Sequence, residues 1–200
     1  MFGGFYTVKF QLGQAVGHSV MHAGAGKMLG GNSAFAHIGT YEDLGGEIAI
    51  EITTVRHNPD PNYPAMAGTD DATLLARGKL DGARYRFEGR LNEVPHLRML
   101  DGVEGGLTGV MLLNDGRILG GDASSYYLGT YTSENGRWKG QILNQEHTPA
   151  KGNNSVFGGH EVGIGFSGSC EEEGALLEAT ALAGKRSLRL TAVLKLMRRA

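Results

Sequence analysis

The sequence contains very little cysteine: Cys170 is the only one among 200 residues. A single thiol excludes an intrachain disulfide framework and fits a reducing compartment. Cys170 also precedes three consecutive glutamates, which is an unfavourable setting for a reactive thiolate. The cysteine content therefore argues against both a disulfide-stabilised secreted domain and a thiol enzyme.

Long apolar runs are missing too. No stretch approaches the roughly 20 apolar residues that a membrane-spanning helix needs. The first residues also lack the basic and apolar regions of a secretory signal peptide. We therefore expect a cytoplasmic protein with no membrane partner.

The numbers of basic and acidic residues are nearly balanced. Nineteen Lys and Arg residues stand against 21 Asp and Glu residues, which gives a net charge of −2. The basic residues are scattered, so the sequence lacks the positive stripe that is typical of nucleic-acid-binding proteins. We expect no nucleic-acid partner.

Catalytic motifs are absent as well. The chain contains neither G-x-S-x-G nor H-E-x-x-H, and neither Gly30-Gly31 nor Gly120-Gly121 is followed by the Lys-Ser/Thr of a phosphate loop. No second metal ligand recurs at suitable spacing beside the two histidines of the repeat described below. We therefore expect a non-enzyme with no catalytic residue, no cofactor and no metal. An enzyme would need its titratable groups to converge, and the candidates are His57, Asp122, Glu146 and His147.

Glycine, by contrast, is abundant: the chain has 33, well above the usual share of about 7%. Many short strands joined by tight turns would account for this excess. The glycines also belong to an internal repeat, in which residues 18–59 match the chain ninety positions later without a gap. The identical pairs include Val20/Val110, Met21/Met111, Leu29/Leu119, Gly30/Gly120, Gly31/Gly121, Gly39/Gly129, Ile52/Ile142, His57/His147 and Pro59/Pro149.

The alternation of side chains predicts strands through most of both copies. Residues 5–12 and 47–55 alternate apolar and polar side chains, and Asn114-Asp115-Gly116 predicts a type I′ hairpin turn. We expect an all-β protein made of two tandem, pseudo-symmetric, lipocalin-like antiparallel β-barrel or half-barrel repeats, over residues 1–95 and 96–200. Residues 97–100 could add a strand at the junction. Composition allows a short helix over 174–183, whereas the repeat favours a strand there.

Residues 114–131, with the sequence Asn-Asp-Gly-Arg-Ile-Leu-Gly-Gly-Asp-Ala-Ser-Ser-Tyr-Tyr-Leu-Gly-Thr-Tyr, resemble the hallmark "GGD…Y.G.Y" segment of the GrlR-like negative regulators of type III secretion. Residues 4–10 are similar to that family's first strand. The first copy departs from the block, with Asn32 in place of the Asp and Ala36-His37 in place of the two tyrosines. The resemblance implies a lipocalin-like barrel that binds a transcription activator and does not bind DNA.

The resemblance also implies where a protein partner would bind. In that family an acidic turn just after the Y.G block contacts the activator. The corresponding acidic residues here are Glu42 and Asp43 in the first copy and Glu134 in the second. The remaining motif residues are expected to be structural, and they are Gly30, Gly31, Asn32, Gly120, Gly121, Asp122, Tyr126, Tyr127, Gly129 and Tyr131.

Individual roles follow from residue chemistry. Asp122 can accept hydrogen bonds from backbone N–H groups in a turn. Tyr126, Tyr127 and Tyr131 should alternate between the two faces of a strand, with core packing as their main role. His57 and His147 end equivalent strands, so we expect each to fix a loop through hydrogen bonds.

Two functions remain open at this point. The first is a non-enzymatic cytoplasmic regulator or adaptor that binds a protein partner; a homodimer is a further hypothesis. The alternative is a calycin-like binder of a small apolar ligand held inside a barrel. The interior volume of the barrel distinguishes the two functions, because large aromatic side chains would fill the cavity that an apolar ligand needs. The candidate fillers are Tyr6, Phe10, Tyr85 and Phe87.

Overall fold

A computed structural model of the chain describes residues 2–12, 14–65, 68–92, 109–149, 157 and 161–197. These residues form fourteen β-strands in two seven-stranded sheets. The chain divides into two compact units, residues 1–110 with 121–123, and residues 111–120 with 124–200. The described part of the chain contains no helix that could span a membrane.

The first sheet is an antiparallel meander in which each strand pairs with the next along the chain. Five of the six connections have only two to four residues, which favours this order. Its strands are β1 (Gly4–Leu12), β2 (Ala15–Gly24), β3 (Lys27–Gly31), β4 (Phe35–Asp43), β5 (Ile48–Arg56), β6 (Asp71–Asp81) and β7 (Arg84–Asn92).

The second sheet repeats the meander. Its strands are β8 (Val110–Asn114), β9 (Arg117–Gly121), β10 (Ser125–Glu134), β11 (Arg137–Glu146), β12 (Val162–Cys170), β13 (Gly174–Ala183) and β14 (Arg186–Lys195). The predicted all-β tandem is confirmed, since both units are curled antiparallel half-barrel sheets. The strand that the repeat favoured over 174–183 is confirmed: this segment is β13, which pairs with β12 and β14. The helix that composition allowed there is not formed.

The ninety-residue repeat is visible in the strand positions. Moving β3 by ninety residues reproduces the limits of β9, and β4 to β7 fall within one or two residues of β10 to β13. Strand β8 corresponds to the second half of β2. The positions ninety residues from β1 and β14 are 94–102 and 96–105, which lie within the undescribed segment 93–108. The comparison of the two copies therefore covers β2 to β7 and β8 to β13.

The turns explain part of this correspondence. Ala25 and Gly26 have φ angles of 49° and 77°, and Asp115 and Gly116, ninety residues later, have 47° and 74°. Two consecutive left-handed residues define a type I′ turn, whose twist matches that of the flanking strands. The hairpin predicted at Asn114-Asp115-Gly116 is therefore confirmed.

The first sheet curls until its two edges meet. In a flat sheet, six spacings of about 4.8 Å would separate β1 from β7 by roughly 29 Å. Instead, the ring centroids of Tyr6 on β1 and Tyr85 on β7 lie 6.2 Å apart. The ring of Phe2 lies 5.5 Å from that of Tyr6, 4.9 Å from that of Tyr41 on β4 and 4.8 Å from that of Tyr85. One buried ring thus contacts both edges and the middle of the sheet.

The second sheet packs around its own apolar cluster. The buried members of this cluster are Ile118, Trp138, Ile142, Phe166, Leu177 and Ala179. Met111 and Leu113 on β8 pack against it, and so do Leu190 and Leu194 on β14. Because β8 and β14 are opposite edges of the sheet, a shared core again requires strong curvature.

Two features of the predicted organisation fall outside the described residues. The strand predicted at 97–100 lies within the undescribed segment 93–108, as does the boundary predicted between residues 95 and 96. That boundary and that strand stay predictions.

Candidate functional site

The glycines of the repeated block allow close contact between backbones. A Cβ atom at Gly39 would overlap the carbonyl oxygen of Glu51 on the neighbouring strand, and one at Gly129 would overlap that of Gln141. These two glycines are ninety residues apart. Gly30 and Gly31 end β3, and Gly120 and Gly121 end β9. Their positions fit the structural role that the sequence predicted.

Asn32 organises the corner between β3 and β4. Its side-chain Oδ1 accepts hydrogen bonds from the backbone N–H groups of Ala34 at 3.0 Å and Phe35 at 2.9 Å. The backbone N–H of Asn32 donates to the carbonyl of Phe35 at 2.8 Å. Asn32 thus has the turn-accepting role that was predicted for Asp122. Asp122 occupies the equivalent position after β9 and is likewise buried, with 7% of its surface exposed.

The two histidines of the repeat tie this corner to the end of the following hairpin. The backbone N–H of His57 donates to the carbonyl of Ala34 at 2.9 Å, and that of His147 donates to Ser124 at 2.8 Å. Nε2 of His57 lies 3.0 Å from the carbonyl oxygen of Asn32. Because a carbonyl can only accept, this nitrogen carries the proton. The predicted loop-fixing role of His57 is confirmed. Nδ1 of His147 lies 2.9 Å from Oγ1 of the adjacent Thr148, and its loop-fixing role stays a prediction.

A second histidine lies close to His57. His37 is 8% exposed, and its Nδ1 lies 3.1 Å from Oγ1 of Thr54. Burial, together with the nearby His57, lowers the pKa of His37 to about 4. Burial also lowers the pKa of His57, with a smaller contribution from Arg56, and the hydrogen bond to the Asn32 carbonyl opposes this shift. Both rings are therefore neutral near pH 7, and Tyr127 replaces His37 in the second copy.

The role of Arg56 was not predicted from the sequence. Its Nε lies 2.5 Å from Oδ1 of Asp70, at the far end of the β5–β6 loop. Its guanidinium also donates to the carbonyls of Asn58 and Tyr63, each at 3.2 Å, and lies 4.3 Å from the ring centroid of Phe35. Arg56 therefore holds the described part of the proline-rich loop to the sheet. Its position before His57 was the only available hint, and the second copy has Glu146 there.

The acidic turn of the first copy is exposed and contains internal hydrogen bonds. Oδ1 of Asp43 accepts hydrogen bonds from the N–H groups of Gly45 at 3.0 Å and Gly46 at 3.4 Å. Leu44 at the tip is 43% exposed. Glu47 is engaged by Arg77 at 3.0 Å and Lys79 at 3.7 Å. Glu42 is exposed beside the turn, and no ion pair reaches it from the described residues.

Glu134 lies at the equivalent end of β10. It is exposed and directly precedes the Asn135-Gly136 turn, whose φ angles are 51° and 72°. The second copy therefore presents one carboxylate where the first presents two.

The tyrosines of the block alternate as predicted. Tyr127 and Tyr131 pack against the core of the second unit, where the ring of Tyr131 lies 6.1 Å from that of Trp138. Tyr126 points to the other face, and its hydroxyl donates to the side-chain oxygen of Gln145. The contacts of Tyr127 and Tyr131 are those of packing residues.

No three His, Cys, Asp or Glu side chains of the described residues converge as metal ligands would. An open depression of about 620 Å³ lies over β12, β13 and β14. Its lining includes Ser167, Glu178, Thr180, Arg189 and Thr191.

Comparison with known proteins adds no family to these observations. No protein-family model, no curated protein and no solved structure matches this chain. The likeness of residues 114–131 to the GrlR-like regulators therefore stays a prediction.

Proposed function

We propose that this chain is a non-enzymatic cytoplasmic regulator or adaptor that binds a protein partner through its exposed turns and strand edges. The observation that carries the proposal is the filled interior of the first unit. The rings of Phe2, Tyr6, Tyr41, Tyr85 and Phe87 occupy the space that a ligand-binding barrel would leave open. Binding would then take place on the outer surface.

The acidic turn is the first candidate contact on that surface. Exposed ion pairs contribute only about 0.2–1 kcal/mol each, so two carboxylates alone would bind weakly. Here Leu44 adds an apolar contact at the tip, and the hydrogen bonds from Gly45 and Gly46 hold the turn in place before binding. A preorganised loop loses less entropy on association. The turn suits a partner surface with basic residues around an apolar depression.

The alternative function, binding of a small apolar ligand, requires an empty apolar chamber. The aromatic cluster of the first unit occupies that position. The depression over β12 to β14 is a poor substitute, because its lining includes Glu178, Arg189 and three hydroxyl side chains. Native mass spectrometry of protein purified from its own host would detect a retained apolar ligand, and such a ligand would favour this alternative.

Affinity capture with matched variants tests the proposal. Glu42→Lys and Glu134→Lys reverse the exposed charges of the two turns, and Glu161→Lys reverses an exposed charge outside them. We expect a protein captured by the unmodified chain to be lost with Glu42→Lys and retained with Glu161→Lys. If all three variants retain it equally, the turns are not the contact; if several conditions yield no partner, the proposed function is wrong.

A further inference from the structure

The first sheet has an odd number of strands, and this fixes the direction of its edges. Six successive antiparallel pairings lead from β1 to β7, so the two edge strands run in the same direction. They cannot join in the antiparallel ladder used by the rest of the sheet. Among the described strands, neither β1 nor β7 has a second neighbour.

The edges are close but meet through side chains. The rings of Tyr6 and Tyr85 lie 6.2 Å apart, and Phe2 contacts both. Each ring extends several ångströms from its own backbone, so the two backbones can lie farther apart than the rings. A strand inserted between two edges needs two strand spacings, or about 9.6 Å. A strand running opposite to β1 and β7 would be antiparallel to both, which makes eight strands and completes the ladder.

The outer faces of the two edges carry mostly positive charge. Lys9 on β1 is exposed, and so are Arg84, Arg86 and Arg90 on β7, against a single carboxylate, Glu88. Arg86 makes an exposed ion pair with Asp81 at 3.2 Å. The inner faces carry Tyr6 and Val8 on β1 and Tyr85 and Phe87 on β7, all packed against the core. A strand between these edges would meet basic side chains outside and apolar side chains inside.

We propose that the open seam between β1 and β7 binds an extended segment of a partner protein as an eighth strand. The segment would carry acidic side chains on its outer face and apolar side chains on its inner face. Main-chain hydrogen bonds to both edges supply affinity in such strand addition, and the alternating side chains supply specificity. This inference rests on the proposed function, because it names a second contact for the same partner.

A synthetic peptide provides the probe. Strands β1 and β7 each have nine residues, so the probe is a capped nine-residue peptide. Val stands at every second position, and the positions between are Glu or Thr. One control replaces each Glu by Lys, and another is N-methylated on alternate residues to remove one row of hydrogen-bond donors. Hydrogen exchange of the full chain, with and without each peptide, locates binding.

We expect the acidic peptide to protect amides of β1 and β7 and to bind at least about tenfold more tightly than the lysine peptide, because four basic side chains face it. The N-methylated peptide should not bind. The double variant Arg86→Glu/Arg90→Glu should remove or reverse the charge preference. The matched variant Arg117→Glu/Arg137→Glu, which changes exposed arginines of the other sheet, should leave it unchanged.

Equal binding of the acidic and lysine peptides, or no protection of β1 and β7, would overturn the inference. Full protection of both outer edges in the free protein would do the same, because the seam would already be occupied. Concentration-dependent dimerisation that protects these edges would instead identify a second copy as the occupant. A captured partner that protects only the acidic turn would leave the proposed function standing and remove this seam from it.

Discussion

The indole Nε1 of Trp138 donates a hydrogen bond to the backbone carbonyl of Leu176 at 3.2 Å. Trp138 lies on β11 and Leu176 on β13, so the bond crosses the intervening strand β12. It passes Gly168, which pairs with Trp138 on one side and with Leu177 on the other. A side chain at Gly168 would meet the carbonyl oxygen that accepts this bond.

The first copy places its large ring on the opposite side of the equivalent glycine. There Ile48, Gly78 and Phe87 occupy the three equivalent positions, and the ring of Phe87 lies over the glycine. The second copy thus has Trp138 on β11 and Leu177 on β13. The first copy has Ile48 on β5 and Phe87 on β7. The total side-chain volume is roughly kept, which is the kind of change that cores tolerate best.

Substitution of Gly168 tests this arrangement. A Cβ atom there would overlap the carbonyl oxygen of Leu176, so we expect Gly168→Ala to lower the free energy of unfolding by about 1–3 kcal/mol. Gly165→Ala on the same strand is the control, since nothing lies within 4 Å of its added Cβ. It should be neutral or slightly stabilising. Urea unfolding followed by the fluorescence of Trp138, the only tryptophan, reports on this unit, and equal effects of the two changes would contradict the prediction.

Phe2 should contribute more to stability than its place before the first strand suggests. It is 4% exposed and contacts four aromatic rings. Phe2→Ala should therefore cost about 3–5 kcal/mol, as for other buried aromatic residues. Leu12→Ala at the exposed end of β1 should change stability by less than about 0.5 kcal/mol. Denaturation followed by near-ultraviolet circular dichroism measures both, and a small effect of Phe2→Ala would show that its ring does not hold the sheet together.

The stability of the first unit should depend on pH between about 6.5 and 4. The folded protein keeps His37 neutral, with a pKa of about 4, whereas the unfolded chain binds a proton near pH 6.5. The unfolded state therefore binds more protons in this window, and stability falls as the pH falls. The loss amounts to about 3 kcal/mol at 1.36 kcal/mol per pKa unit. It is complete below about pH 4, and the full contribution is present above pH 6.5.

Denaturant midpoints measured across this range by circular dichroism check the prediction. His37→Gln keeps a polar contact for Thr54 and removes the titrating ring. We expect this variant to be less stable at pH 7 but to show a flatter pH dependence. An unchanged slope would mean that another group, such as His57, is responsible.

Removal of the Arg56 contacts should loosen the β5–β6 loop. Arg56→Lys keeps the charge but loses the fork of donors that reaches Asp70, Asn58 and Tyr63. We expect faster cleavage between residues 58 and 70 in limited proteolysis and a stability loss of about 1–3 kcal/mol. Arg77→Lys, an exposed ion-pair residue with 65% of its side chain accessible, should show neither effect. Cleavage at the same rate in both variants would rule out the anchoring role.

The internal repeat made much of this fold predictable. Short-range signals placed the hairpin at Asp115-Gly116, and the alignment assigned strand β13 against the helical composition of residues 174–183. Long-range contacts were not predictable in the same way. Phe2 precedes the first strand, and nothing nearby in sequence shows that it contacts β4 and β7. Arg56 likewise acts through Asp70, fourteen residues away.

The candidate site was predictable where chemistry is local. The turn-accepting role of Asn32 follows from a short amide next to backbone N–H groups, and the histidine ties follow from the repeat. The buried state of His37 was not predictable, because it depends on strands that meet only in the curled sheet. Burial along β14 was not predictable either: Leu190 and Leu194 pack in the core, whereas Ala192, between them on the same face, is exposed.

The odd strand number shared by the two sheets has a consequence for closure. A meander of seven antiparallel strands ends with two margins of the same polarity, in the second sheet as in the first. Neither unit can therefore become a sealed cylinder through the antiparallel pairing that joins its other strands.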